Sequence, residues 1–160
     1  MSKEDFKKFF DEYIFGFIFS DIRREIELAR SGKPAGNFLS ALGLLCYTEF
    51  MGGILKGSFK SGTAKSRFDA FFNSMGQGYK SLNQQIDVYN VFRCGMAHEY
   101  FIKGNCIIAM LKDDETLGIG ITPRGRYYFV VERYFEDFAA ACHSLYECKM
   151  MEPNPLVPDK

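Results

Sequence analysis

A mainly α fold is what this sequence predicts: one bundle of about five helices, with a small antiparallel β meander before the last of them. Three observations predict it. Apolar residues recur at three- and four-residue spacing through most of the chain. The pattern shortens to β-type runs only between Asn105 and Val131. The length, 160 residues, with 47% hydrophobic and 16% aromatic content, suffices for one core burying about 70% of the surface an unfolded chain exposes. Seventeen Phe and no Trp make that core Phe-rich. A single domain is expected over residues 1–150. A flexible tail is expected over 151–160, where three prolines accompany little that can be buried.

The elements follow in order. Ser2 and Asp5 form a capping-box pattern, a hydroxyl and a carboxylate placed to satisfy the first amides of a helix. Phe6, Phe9, Phe10, Tyr13, Ile14, Phe17, Ile18, Ile22 and Ile26 then mark one long amphipathic helix ending near Ser31-Gly32. A second helix, from about Asn37 to Leu55, has almost no polar face and is expected to be central and buried. Glu49 lies inside that apolar run, and a buried carboxylate requires a partner.

A third helix is expected from about Arg67 to Tyr79, and a fourth from Ser81 through Ile86, Tyr89, Phe92 and Met96. Asn105 to Leu111, Leu117 to Thr122 and Arg126 to Val131 read as strands, with turns at Asp113-Asp114-Glu115 and Thr122-Pro123-Arg124-Gly125. A last helix is expected over roughly Glu132 to Met150.

Charge and cysteine content set limits. Twenty basic and twenty acidic residues give zero formal net charge, so no global electrostatic argument for nucleic-acid binding holds. The cysteines (Cys46, Cys94, Cys106, Cys142, Cys148) are odd in number and scattered. None has zinc-site spacing with His98 or His143, so reduced thiols are expected and no metal or cofactor is assigned. The N-terminus carries both signs of charge, and the Tyr13–Phe19 run is too short to span a bilayer. No signal peptide or membrane association is expected, and a cytoplasmic protein is the default.

One stretch concentrates chemistry. In FRCGMAHEYF, Phe92 to Phe101, Arg93 and His98 stand five residues apart near the end of the fourth helix. On an ideal helix they point about 140° apart, so they share one groove only if the helix loosens. An imidazole can move a proton to or from a ribose 2′-hydroxyl or a leaving oxygen. A guanidinium can clamp a phosphate and stabilise the charge growing on it. The pair therefore suits phosphodiester cleavage, a chemistry that needs no metal. The spacing alone is weak, since an ion-paired Arg and a His near a helix end produce it equally well.

The same stretch resembles the signature of the HEPN superfamily, small helical bundles marked by Arg, four to six residues and then His. Arg93, Gly95, His98, Glu99, Tyr100 and Phe101 carry the resemblance. YNVF (Tyr89 to Phe92), the apolar second helix and FDAFFNSMGQGY (Phe68 to Tyr79) resemble a bacterial branch of that superfamily. The resemblance implies a homodimer in which the Arg/His pairs of two protomers form a composite groove. It also implies RNA or a nucleotide as ligand. His98-Glu99-Tyr100 is similar to the His-x-Tyr of HEPN toxins paired with an antitoxin nucleotidyltransferase, which makes Tyr100 the position matching their adenylylated tyrosine. Where many active members carry Asn or another polar residue after the Arg, this chain has Cys94, a poor hydrogen-bonding substitute. Asn90, one turn earlier, is the available amide.

Two further features bear on the site. Lys56, Lys60, Lys65 and Arg67 occur without an intervening acid, in a segment rich in Gly and Ser, and offer a local electropositive site or simply a solvated loop. A P-loop is rejected, because Thr63-Ala64 stand where Lys and Ser/Thr are required. Glu49 is expected either to pair with a cation, Arg93 foremost, or to orient His98. Three functions stay open: a metal-independent endoribonuclease or RNA-binding domain, a non-catalytic dimeric nucleotide-binding or interaction module, and a toxin silenced at Tyr100.

Overall fold

The computed structural model of the chain describes residues 1–99, 106–113 and 117–153. The fold is mainly α, with a three-stranded sheet between its last two helices. The Ser2/Asp5 capping box is formed in full and starts α1, Lys3–Phe9. The chain continues as a π-helical stretch, Phe10–Ile18, and then α2, Phe19–Arg30, with right-handed helical backbone at both joins. The single long helix expected here is thus continuous but wider in its middle. Phe6, Phe10, Ile14, Ile18, Phe19, Ile22 and Ile26 face the core.

Helix α3, Asn37–Lys56, matches its expected span. Its length and mean hydropathy of 1.5 are those of a membrane span, yet half of that window is buried in the fold, as in a core helix. It is not buried all round, however. Leu44, Leu45, Met51 and Ile54 are buried, whereas Leu39 is 71% exposed and Phe50 is 37% exposed.

Helix α4, Ala64–Ser74, crosses α3 closely. A Cβ on Gly52 would stand 1.8 Å from the carbonyl oxygen of Arg67, so only glycine permits this crossing. The expected third and fourth helices are divided elsewhere than the sequence suggests. Gly76, at φ 143°, ends the first of them, and α5, Gln77–Gln85, takes in Tyr79. Extended backbone at Ile86 then separates α5 from the helix that carries the motif. That helix is a π stretch, Tyr89–Cys94, followed by α6, Gly95–Glu99.

Strands β1 (Cys106–Ala109), β2 (Ile119–Ile121) and β3 (Tyr127–Val130) form a sheet in the order β1-β3-β2. Only β2 and β3 make the expected antiparallel hairpin, through the Thr122–Gly125 turn, where the Gly125 amide donates to the Thr122 carbonyl. Strand β1 pairs in parallel with β3, so the antiparallel meander is corrected to a mixed sheet. The physical reason is length. The connection from Ala109 to Ile119 is too long for a tight hairpin turn, and β3, with Phe129 fully buried, takes the central place. Part of the Asp113-Asp114-Glu115 turn lies outside the described residues. Helix α7, Val131–Met151, completes the core through Tyr134, Phe135, Phe138, Cys142 and Leu145. It runs slightly beyond its expected end, and residues 154–160 of the tail lie outside the described residues.

Candidate functional site

The motif helix is set by its own sequence. Asp87 caps it, accepting from the Asn90 backbone amide at 3.2 Å and from Asn90 Nδ2 at 2.5 Å. Val88, Phe92 and Met96, spaced one turn apart, are buried in the core. Phe92 packs edge-on against Tyr127 of β3 at 5.3 Å, so the sheet braces the helix from behind. The π stretch underwinds the helix through Arg93, and α geometry returns from Gly95. The Asn90 amide, expected to serve the site in place of the missing Asn after Arg93, is instead spent on the cap.

Arg93 turns to Glu49 of α3. Its Nε stands 3.0 Å from Glu49 Oε2, a charge contact without hydrogen-bond geometry. Arg67, at the start of α4, donates from its NH2 nitrogen to Glu49 Oε1 at 2.8 Å. The same guanidinium donates from NH1 to the Lys60 carbonyl and to Thr63 Oγ1, both at 3.0 Å. All three charged side chains are at most 20% exposed. Glu49 therefore pairs with a cation, as the favoured expectation had it, but with two of them.

Aromatic and thiol groups surround the cluster. The Arg93 guanidinium lies 5.8 Å from the centre of the Tyr89 ring, and that of Arg67 lies 5.9 Å from the centre of the Phe59 ring. Burial, the Glu49 carboxylate and the half-buried Cys94 thiol push the Tyr89 hydroxyl above its usual range, with Arg93 opposing them. Burial also raises the Cys46 thiol, against the pull of Arg93. Cys46 is half-buried on this side of α3, whereas Cys142 lies in the core.

The basic segment is largely committed to intramolecular contacts. Lys65 pairs with Asp87 at 2.7 Å and Asp69 at 3.2 Å, and Lys56 donates to Ser66 Oγ. Lys60 holds the loop through its backbone, and its ammonium forms no ion pair among the described residues. His98 is exposed on α6. Tyr100 lies outside the described residues. His143 is exposed on α7 and stacks on Phe15 at 4.4 Å, away from the cluster.

Arg67 was expected at the start of the third helix, as part of a local electropositive site or a solvated segment, and not as the second partner of Glu49. A signal for it is present. Gly52-Gly53 in an otherwise apolar helix marks a close helix crossing, and Glu49 lies one turn before it. No protein-family model, curated protein or solved structure matches this chain.

Proposed function

We propose that the chain is a HEPN-like domain acting on RNA as a metal-independent endoribonuclease, with Arg93 and His98 as its catalytic pair in a homodimer. The observation that carries the reading is the state of Arg93. Its Nε is held at Glu49, while its terminal nitrogens meet no acceptor among the described residues. Donors left unused in this way support a role in holding an oxyanion. His98, exposed on the following turns, supplies the proton transfer. The ribose 2′-oxygen attacks phosphorus and the bond to the 5′-oxygen breaks, giving a cyclic phosphate and a free hydroxyl. Imidazole takes the 2′-hydroxyl proton and imidazolium returns one to the leaving oxygen. Arg93 stabilises the charge on the phosphoryl oxygens between them.

A second copy is supported by the open apolar surface. Phe59, Phe50, Phe9 and Tyr13 form a run of ring contacts at 5.5, 6.4 and 5.4 Å beside the cluster. Phe17 and Leu39 are also exposed. Contiguous apolar surface of this kind marks an interface.

The test is purified protein on mixed RNA in EDTA, beside His98→Ala and Arg93→Ala. Cleavage is expected from the wild type and a fall of about a hundredfold or more in each variant. No wild-type cleavage at any dose sinks the nuclease, and a strictly monomeric mass at micromolar concentration sinks the composite site.

A further inference from the structure

We infer that Arg67 is a positioning residue for Arg93, acting through Glu49, and that this triad sets how tightly the site holds a phosphate oxyanion. The inference rests on Arg93 as the phosphate clamp proposed above, but not on cleavage. Its basis is the unequal use of the two guanidiniums. Arg67 is committed inside the protein, to Glu49 Oε1, the Lys60 carbonyl and Thr63 Oγ1. Among the described residues Arg93 pairs with Glu49 Oε2 through Nε and lies against the Tyr89 ring, with no hydrogen bond from its terminal nitrogens.

A carboxylate facing a single guanidinium takes it by two parallel hydrogen bonds. Here Arg67 claims Oε1 and holds the carboxylate away from that arrangement. Among the described residues the terminal nitrogens of Arg93 consequently stay available, and two cations over one anion leave one positive charge uncompensated at the cluster. The free planar fork matches phosphate oxygens.

Removing either partner therefore has opposite consequences. Without Arg67, Glu49 rotates into a two-bond pair with Arg93, which neutralises it and covers its fork. Without the Glu49 charge, Arg93 is released and the cluster gains positive charge. With both changes there is no carboxylate for Arg67 to restrain, and Arg93 remains open.

The experiment titrates inorganic phosphate into the full chain by calorimetry, with phosphorus NMR as a second reading. Arg67→Met is expected to weaken binding about tenfold, and Glu49→Gln to strengthen it by a similar factor. The double variant is expected to bind like Glu49→Gln, well above Arg67→Met. Arg67→Lys, which keeps the charge but loses the fork, falls between Arg67→Met and the wild type. If Glu49→Gln unfolds without phosphate, the double variant and Arg67→Lys carry the test, having fewer uncompensated guanidiniums and none, respectively.

Equal weakening by Arg67→Met in the presence and absence of the Glu49 charge makes Arg67 a direct contact and overturns the inference. So does an Arg67→Met affinity equal to that of the wild type, or the absence of phosphate binding throughout. The titration contains no RNA, which separates the two readings. A chain that follows the expected order without cutting RNA keeps this inference and loses the nuclease; a chain that cuts RNA with a flat phosphate series does the reverse.

Discussion

Glu132 and Glu49, two carboxylates held largely inside the fold, are satisfied in opposite ways. Glu132, at the start of α7, is 7% exposed. One oxygen pairs with Arg30 and the other accepts the Lys112 backbone amide at 2.8 Å. Its own amide donates to the Met110 carbonyl. One cation meets one anion, and the chain following β1 is fastened to α2 and α7. Glu49 has instead two guanidiniums, one of them without hydrogen-bond geometry, beside two aromatic rings. A buried pair whose bonds are closed is structural bracing. A cluster with surplus charge and unused donors has capacity left for a ligand.

The largest expected effect breaks the comparison at its root. Gly52→Ala puts a methyl group into the Arg67 backbone and pushes α4 off α3. We expect a loss of about 3 kcal/mol, because backbone, unlike a flexible side chain, cannot move aside cheaply. Urea unfolding measures it, and a loss below about 1 kcal/mol would contradict so tight a crossing.

Next come the two carboxylates themselves. Glu49→Gln leaves two largely buried guanidiniums without their counter-charge and is expected to cost about 2 kcal/mol. Glu132→Gln is expected to cost about 1 kcal/mol, since Arg30, 59% exposed, can return to water. Phosphate should then restore stability to the Glu49 variant and not to the Glu132 variant, by linkage between binding and folding. Thermal melts with and without phosphate read this difference, and equal rescue of both would erase the distinction.

The smallest effect concerns the cap of the motif helix. Burial raises the Asp87 carboxyl, but its bonds to Lys65 and to Asn90 outweigh that and hold it below the ordinary 3.8. A lowered folded pKa contributes stability above the unfolded value, and that contribution is lost as pH falls through the folded one. Asp87→Asn should thus lower the melting temperature slightly near pH 7, with the gap closing below about pH 4. A gap that persists at the acid end would mean that the cap does not depend on the charge of Asp87.

Much of this was legible in the chain itself. The 3.6-residue periodicity located α3 and α7 within a residue or two, because each buries a continuous apolar stripe whatever packs against it. The capping box and the Thr122–Gly125 turn were readable for a related reason, since both close hydrogen bonds among near neighbours. Glu49 and Arg93 were readable as a pair, because a carboxylate in an apolar helix demands a cation and the motif offers one.

The rest depended on contacts between residues distant in sequence. The parallel pairing of β1 with β3 follows from a long connection and a buried central strand, not from the strand residues themselves. Arg67 reads as one more cation of the basic segment until Gly52 brings its backbone onto α3 and places its guanidinium over Glu49. Local sequence thus determined which segments are helices and which ionisable residues the motif carries. Tertiary packing alone decided that one carboxylate is divided between two arginines, since that division requires three segments to meet at one point.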